Sequence, residues 1–150
     1  MAMDDIDVKI IEQLNLDSHK SFRDIAKALT VSPGTVYNRI SKLEKDKIIT
    51  GYIPVVDAQK AGSDLTVIIG LKISHGKLVE VEKKIAKDPR VFGVYDVTGE
   101  FDSVVLVRFK TREELNGFVK GLLSLKDIEH TYTQLVLNTV KDEKRFVPLL

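Results

Sequence analysis

The chain has no cysteine among its 150 residues. That one absence excludes disulfide frameworks, thiolate metal sites and cysteine nucleophiles together, and it suits a reducing compartment. No apolar run approaches the ~18 residues of a membrane span, and no charged-then-apolar leader opens the sequence. A cytoplasmic chain with no membrane partner is therefore expected. An excess of either charge is also missing: 23 Lys/Arg against 22 Asp/Glu leave a net charge of +1. Even residues 1–53 hold eight Lys/Arg against eight Asp/Glu. Any attraction to phosphate must come from local placement and from several copies acting together. The three histidines, His19, His75 and His130, form no i, i+4 pair, so no metal site is expected. Nucleophile-elbow, Walker and Rossmann glycine patterns are missing too, so neither a catalytic centre nor a cofactor is expected.

What is present falls into two rhythms. The first fifty residues read as helices. Ile6, Ile10 and Leu14, with Ile11 beside them, make one apolar stripe, and Asp4 and Asp5 suit the positive end of that helix. Phe22, Ile25, Ala26 and Leu29 follow at i, i+3, i+4 and i+7, behind Ser21 as N-cap. Ser32-Pro33 then starts a third helix, serine as cap and proline at the first position, with Val36, Ile40 and Leu43 inward. Two short helices separated by about three residues describe a helix-turn-helix. Ile48 to Val56 is β-branched and apolar, and predicts a short wing or connecting strand held to an edge by Pro54.

The second rhythm alternates strands and helices. Strands are predicted over 65–73, 91–98, 103–109 and 132–140. Helices are predicted from Val79 past Ile85 to a stop at Asp88-Pro89, and over 112–123 with Leu115, Phe118, Val119 and Leu122 inward. The order β-α-β-β-α-β is that of a ferredoxin-like split unit. The predicted architecture is α+β: residues 1–53 a DNA-binding domain, 54–63 a hinge strand, 64–150 a βαββαβ domain. Helices cover one sheet face, so the other predicts self-association, with Val67, Ile69 and Leu71 as alternating residues that need cover.

The sequence resembles the Lrp/AsnC, or feast/famine, family over nearly its whole length. The resemblance is carried in the first segment by Asp4, Asp7, Ile10-Ile11 and Lys20-Ser21. Ser32, Val36, Arg39-Ile40 and Leu43-Glu44 continue it, then Ile48 and Gly51-Tyr52. The second half adds Gly62, the turn Thr98-Gly99-Glu100-Phe101-Asp102, and Thr131 to Gln134. Order and spacing together make the match specific. It implies a winged helix-turn-helix joined to a βαββαβ effector domain, dimers often assembled into octamers, and regulation by amino acids. Three departures stand out. Lys47 occupies a position where family members commonly carry glycine, Thr30 replaces the glycine frequent in helix-turn-helix turns, and Glu100 stands where aspartate is common.

The third helix of such a motif enters the major groove of double-stranded DNA, and dimers read pseudo-palindromic operators. With Val36, Ile40 and Leu43 inward, Gly34, Thr35, Tyr37, Asn38, Ser41 and Lys42 are left outward or lateral. Asn38 suits bidentate pairing with adenine, and Thr35 and Ser41 suit bases or phosphates. Ser32, Arg39, Lys42 and Lys45 are backbone candidates, and Lys20 and Arg23 flank the groove from the second helix. Each has the alternative of ordinary surface charge, and Arg39 that of a structural ion pair with Asp7 or Glu44. Tyr52 suits a wing contact or packing.

For an effector, Gly99 permits φ > 0 and exposed N–H groups that suit a carboxylate, while Asp102 or Glu100 suits an ammonium group. Thr131 and Thr133 share a strand face. The residues alone are equally a hairpin turn and a β-favouring strand. The resemblance implies an effector site of Thr98, Gly99, Glu100, Asp102, Thr131, Thr133 and Gln134, between subunits, binding a small molecule of amino-acid type. Two rivals share this layout. One is a tetrapyrrole (sirohaem) decarboxylase-like enzyme, which needs haem-facing His or Arg groups, for which His75, His130, Arg90 and Arg108 are the candidates. The other is a ligand-sensing adaptor whose helix-turn-helix no longer binds DNA.

Overall fold

Asp4 begins the first helix with a reciprocal cap. Its Oδ1 accepts the N–H groups of Ile6 (3.0 Å) and Asp7 (3.1 Å), and Asp7 Oδ2 accepts the N–H of Asp4 at 3.1 Å. Helix α1 then spans Asp5–Leu16. Ser21 Oγ caps α2 (Phe22–Leu29) through the Asp24 N–H, and Ser32 Oγ caps α3 (Pro33–Lys45) through the Thr35 N–H. Between α2 and α3 the chain turns at Thr30, which is left-handed at φ 56° and ψ 45°. After α3 it turns again at Lys47, φ 59°, and the N–H groups of Ile48 and Ile49 return to the Leu43 carbonyl. Ile10, Ile25, Ala26, Val36 and Ile40 form the buried core of these helices, with Ile6, Leu14, Leu29 and Val31 around it.

The computed structural model describes residues 3–148, which fall into two units. One holds the chain up to Val55 together with the segment from Lys141 onward, and the other holds Val56–Val140. Within the first unit the returning segment is tied to α1, Asn15 Nδ2 donating to the Phe146 carbonyl at 3.0 Å.

In the second unit the strands are β1 (Leu65–Ile73), β2 (Val91–Asp96), β3 (Ser103–Phe109) and β4 (Ile128–Leu135). The helices are α4 (Leu78–Ile85) and α5 (Arg112–Leu123). The sheet is antiparallel in the order β2-β3-β1-β4. Val67, Ile69 and Leu71 of β1, Val105, Val107 and Phe109 of β3, and Ile128 of β4 pack with Val81 and Ile85 of α4 and Leu122 of α5. Leu115, Phe118 and Val119 of α5 pack around that core, as their spacing requires.

Four expectations need correction. Neither the wing over Ile48–Val56 nor a hinge strand over 54–63 is formed: residues 50–57 carry no strand pairing, and 58–62 are turns. β-Branched residues favour extended backbone, but a strand also needs ladder hydrogen bonds, and this segment makes none among the described residues. The last strand is Ile128–Leu135, not 132–140, because pairing with β1 runs out: the Val136 N–H bonds the Thr66 carbonyl, and Leu137 and Val140 are exposed. Val67, Ile69 and Leu71 lie on the helix-covered face. The open face instead carries Ile68, Gly70 and Lys72 of β1, in register with Leu106, Val104, Tyr132 and His130. Phe22, expected inward, is 42% exposed.

Candidate functional site

The outer side of α3 follows from its inner side. Val36, Ile40 and Leu43 are buried, which turns Gly34, Tyr37, Asn38, Lys42 and Lys45 to the surface with Ser41 half-buried beside them. The N-terminal end of this stripe is shaped by hydroxyls. Ser32 Oγ and Thr35 Oγ1 are 2.8 Å apart, and Ser32 also receives the Thr35 N–H. Both side chains are thus preoriented at the helix start. Gly34 leaves space there: an added Cβ would meet only Ser32 Oγ, at 3.8 Å.

Arg39 is committed to a structural ion pair. Its Nη1 lies 2.7 Å from both Asp4 carboxylate oxygens and 2.9 Å from Asp7 Oδ1. Hydrogen bonding to Arg39, with the Asp7 N–H second, holds the Asp4 carboxyl below its ordinary range. Of the two partners weighed for Arg39, Asp7 is therefore the one found, with Asp4 added. Glu44 instead receives the Tyr52 hydroxyl at 3.0 Å, and Tyr52 is exposed. Lys20 Nζ donates to Gln13 Oε1 at 2.7 Å and is half-buried, whereas Arg23 is exposed.

One contact was not legible beforehand. Phe22 of α2 and Tyr37 of α3, both exposed, meet edge to face with ring centroids 5.8 Å apart and planes at 62°.

In the second unit the turn from Thr98 to Asp102 joins β2 to β3. Gly99 has φ 114°, a conformation that favours glycine. Asp102 closes the turn onto the end of β1. Its N–H donates to the Leu71 carbonyl at 2.9 Å, its Oδ2 accepts the Ile73 N–H at 2.8 Å, and Lys72 Nζ lies 3.5 Å from Oδ1. The Ile73 N–H foremost, then the charge of Lys72, keeps the Asp102 carboxyl below its ordinary range. Glu100 is exposed.

Strand register separates the remaining candidates. Thr131 and Thr133 pair with Leu71 and Ile69 and share the helix-covered face, while Gln134 pairs with Ile68 on the open face. Sequence reading also missed Phe101 and Tyr132. The Phe101 ring covers Gly70, where a Cβ would sit 2.7 Å from its ring atoms, and it packs on Tyr132 at a centroid distance of 5.0 Å. That pair links the Thr98–Asp102 turn to β4 across the open face. A period-2 pattern places Tyr132 on that face, but nothing local reveals that Phe101 folds back over it.

Of the groups a tetrapyrrole site needs, Arg90 does not share the open face that carries Arg108 and His130. Arg90 is paired with Asp88 and stands over Phe109 and Phe118 of the core side, each at 5.3 Å, whereas Arg108 stands over Phe92 at 4.1 Å. Arg108 and Leu106 alternate with the buried Val107, which puts Arg108 on the open side. Among the described residues, no helix is long and apolar enough to cross a membrane.

Comparison with known proteins agrees with both units. Residues 3–44 match the AsnC-type helix-turn-helix domain and residues 66–146 the Lrp/AsnC ligand-binding domain. An uncharacterised HTH-type transcriptional regulator of Pyrococcus abyssi is 49% identical over 146 residues, covering 97% of this chain and 99% of that protein. The HTH-type transcriptional regulator Ptr1 of Methanocaldococcus jannaschii is 35% identical over 93% of this chain and 95% of that protein. Among solved structures, AsnC of E. coli has a TM-score of 0.92 at 24% identity, covering 99% of this chain and 100% of that one. A regulator of Neisseria meningitidis solved as a complex with L-Met has a TM-score of 0.89 at 22% identity, covering 97% and 96%. An AsnC-type helix-turn-helix followed by an Lrp/AsnC ligand-binding domain, in a chain nearly half identical to an HTH-type transcriptional regulator, places this protein in the Lrp/AsnC family of transcriptional regulators.

Proposed function

We propose that the protein is a sequence-specific DNA-binding regulator that acts as a homo-oligomer and whose assembly or DNA affinity responds to an amino acid. The observation that carries this reading is the outer stripe of α3. Gly34, Tyr37, Asn38 and Ser41 lie at i, i+3, i+4 and i+7, opposite the buried Val36, Ile40 and Leu43. They make a neutral strip rather than an ordinary charged surface, and its amide, hydroxyl and phenol are groups that can meet base edges in the major groove. Asn38 reads an adenine. Ser32, Thr35 and Ser41, with Lys42 and the flanking Lys20 and Arg23, set the helix on the phosphates. Arg39 leaves the list of direct contacts and becomes the group that fixes α3 against α1.

The open sheet face supports self-association. Tyr95, Phe92 and Tyr132 are exposed there beside the half-buried Ile68, Val104 and Leu106, an aromatic patch of the kind that marks an interface. A two-fold pair presents two α3 helices to adjacent major grooves, about 34–36 Å apart, and so to a pseudo-palindromic operator. The L-Met complex of the Neisseria regulator supports an amino acid as the effector class. Here the Gly99 turn would take the carboxylate and Asp102 the ammonium group. A protein that must reach DNA works in the cytoplasm of a cell without a nucleus.

A duplex selected from a random-sequence library by the full chain tests the reading. Binding should weaken steeply with salt, because Lys and Arg contacts release counterions. Asn38→Ala should lose preference at one position while keeping the salt slope. Salt-independent binding, or no selected sequence, would rule out the DNA-binding function.

A further inference from the structure

The Phe22–Tyr37 pair is not explained by the fold. Phe22 is 42% and Tyr37 54% exposed, and neither belongs to the buried core that joins the three helices, which is complete with Ile10, Ile25, Ala26, Val36 and Ile40. Two large rings from different helices nevertheless touch each other on the surface, edge to face at 5.8 Å. Leaving them in water forgoes the burial that aromatic side chains normally gain.

Their place decides what they meet. Tyr37 belongs to the same outer stripe of α3 as Gly34 and Asn38, and Gly34 leaves open space one turn before it. Phe22 is the first residue of α2, held by the Ser21 cap, so its ring is anchored by a helix end and restricts the rotation of Tyr37. A braced ring loses little further freedom when it docks.

The geometry points to Tyr37 as a thymine reader: its ring, braced by Phe22, packs on the C5-methyl group of a thymine in the operator. This rests on the DNA-binding reading above and goes further by naming the base. The thymine methyl is the one apolar group that projects from a base edge into the major groove, where the other bases offer hydrogen-bonding groups and, on cytosine, only a flat C5–H. A ring at this position therefore discriminates by hydrophobic contact, beside an amide at Asn38 that discriminates by hydrogen bonds. Phe22 touches no base and acts as a positioning residue.

The test uses the full chain and a duplex it selects from a random library. Each dT is replaced in turn by dU, which removes the methyl group and keeps the base pair. In the unaltered protein at least one dU per half-site should weaken binding about fourfold, the worth of one buried methyl-sized group. Tyr37→Ala should abolish the difference between dT and dU at that position, and Tyr37→Phe should keep it. Tyr37→Gln serves the same comparison if the alanine variant does not fold. Phe22→Ala should shrink the methyl response without changing the salt slope, and an unchanged response overturns its bracing role. Salt-dependent binding with no methyl response at any dT overturns the proposal, as does a response that survives in Tyr37→Ala. Failure to select any duplex, by contrast, overturns the DNA-binding reading itself.

Discussion

Arg39 on α3 places Nη1 2.9 Å from the carboxylate of Asp7 on α1, and the Asp7 side chain is only 7% exposed. The same Asp7 carboxylate completes the cap of its own helix. One side chain therefore caps the start of α1 and holds α3 in place. Removing it leaves Arg39 with Asp4 alone and takes away the partner of the Asp4 N–H. Asp7→Ala should destabilise the first unit by about 1.5–3 kcal/mol, the range for hydrogen bonds to charged groups. Arg39→Ala should cost a comparable amount, because it removes the single Nη1 that serves both Asp4 and Asp7. Urea unfolding followed by circular dichroism measures both, and a change under 0.5 kcal/mol in Asp7→Ala contradicts the account.

Asp4 gives this clamp a pH dependence. Arg39 lowers the Asp4 pKa in the folded state, so folding favours the ionised carboxylate. The stabilisation is complete above the ordinary aspartate value of about 4 and is lost as pH falls through the lowered folded value. Asp4→Asn keeps a capping oxygen but cannot ionise. The stability gap between wild type and Asp4→Asn should be largest near pH 6–7 and should narrow toward pH 3. Parallel profiles across that window would show that the pair contributes nothing through charge.

Thr30 and Lys47 both stand at positive φ, 56° and 59°. The left-handed conformation costs an L side chain roughly 1 kcal/mol, and threonine more than most because its Cβ is branched. Thr30→Gly and Lys47→Gly should each be neutral to stabilising by up to about 1 kcal/mol, since the strain relieved exceeds the entropy glycine adds. Thermal unfolding would read this as a rise of a few degrees. A fall in either variant would mean that the side chain makes a contact worth more than the strain.

These positions also show where sequence reasoning works and where it stops. Ser32-Pro33 and the period of Val36, Ile40 and Leu43 are local facts, and α3 begins at Pro33 as they require. β1, β3 and α5 also have the expected limits, because their patterns are bounded by turn residues or a cap. Residues 48–56 have strand composition yet make no ladder pairing, which no local pattern reveals. β4 ends where β1 stops offering partners. Alternation in Val67, Ile69 and Leu71 marks a buried set, but only the placement of α4 and α5 says which face of the sheet they cover. At the candidate sites, residue types were legible and commitments were not. Arg39 looks like a phosphate ligand until Asp4 and Asp7 are seen around it, and Phe22 looks like core until Ile25 and Ala26 are seen to suffice.

Gly70 is required by Phe101. A methyl group there would lie 2.7 Å from the Phe101 ring, well inside van der Waals contact, so the ring must leave Gly70 and with it Tyr132. Gly70→Ala should cost about 1–3 kcal/mol as an overpacked site. It should also alter self-association, because the displaced ring lies on the open aromatic face. Analytical ultracentrifugation of Gly70→Ala beside Tyr132→Ala separates the two effects. If both variants keep the wild-type assembly and stability, this face does not form the interface.

The Asp102 carboxylate already has an N–H and an ammonium nearby, and its lowered pKa keeps it ionised well below neutrality. An amino-acid ligand whose ammonium group pairs with Asp102 must therefore displace or share Lys72. Asp102→Asn preserves an oxygen for the Ile73 N–H and removes the charge, so the turn should keep its form while ligand affinity falls about ten- to hundredfold, the equivalent of a charge-assisted hydrogen bond. Lys72→Met should move the other way by relieving competition for the carboxylate. Screening the twenty amino acids by thermal shift identifies a ligand, since binding to the native state raises apparent stability, and titration calorimetry then compares the variants. Wild-type affinity in Asp102→Asn would remove this residue from the site. An amino acid held without its charge would have its ammonium paired elsewhere, and Glu100, exposed on the same turn, is the next carboxylate to change.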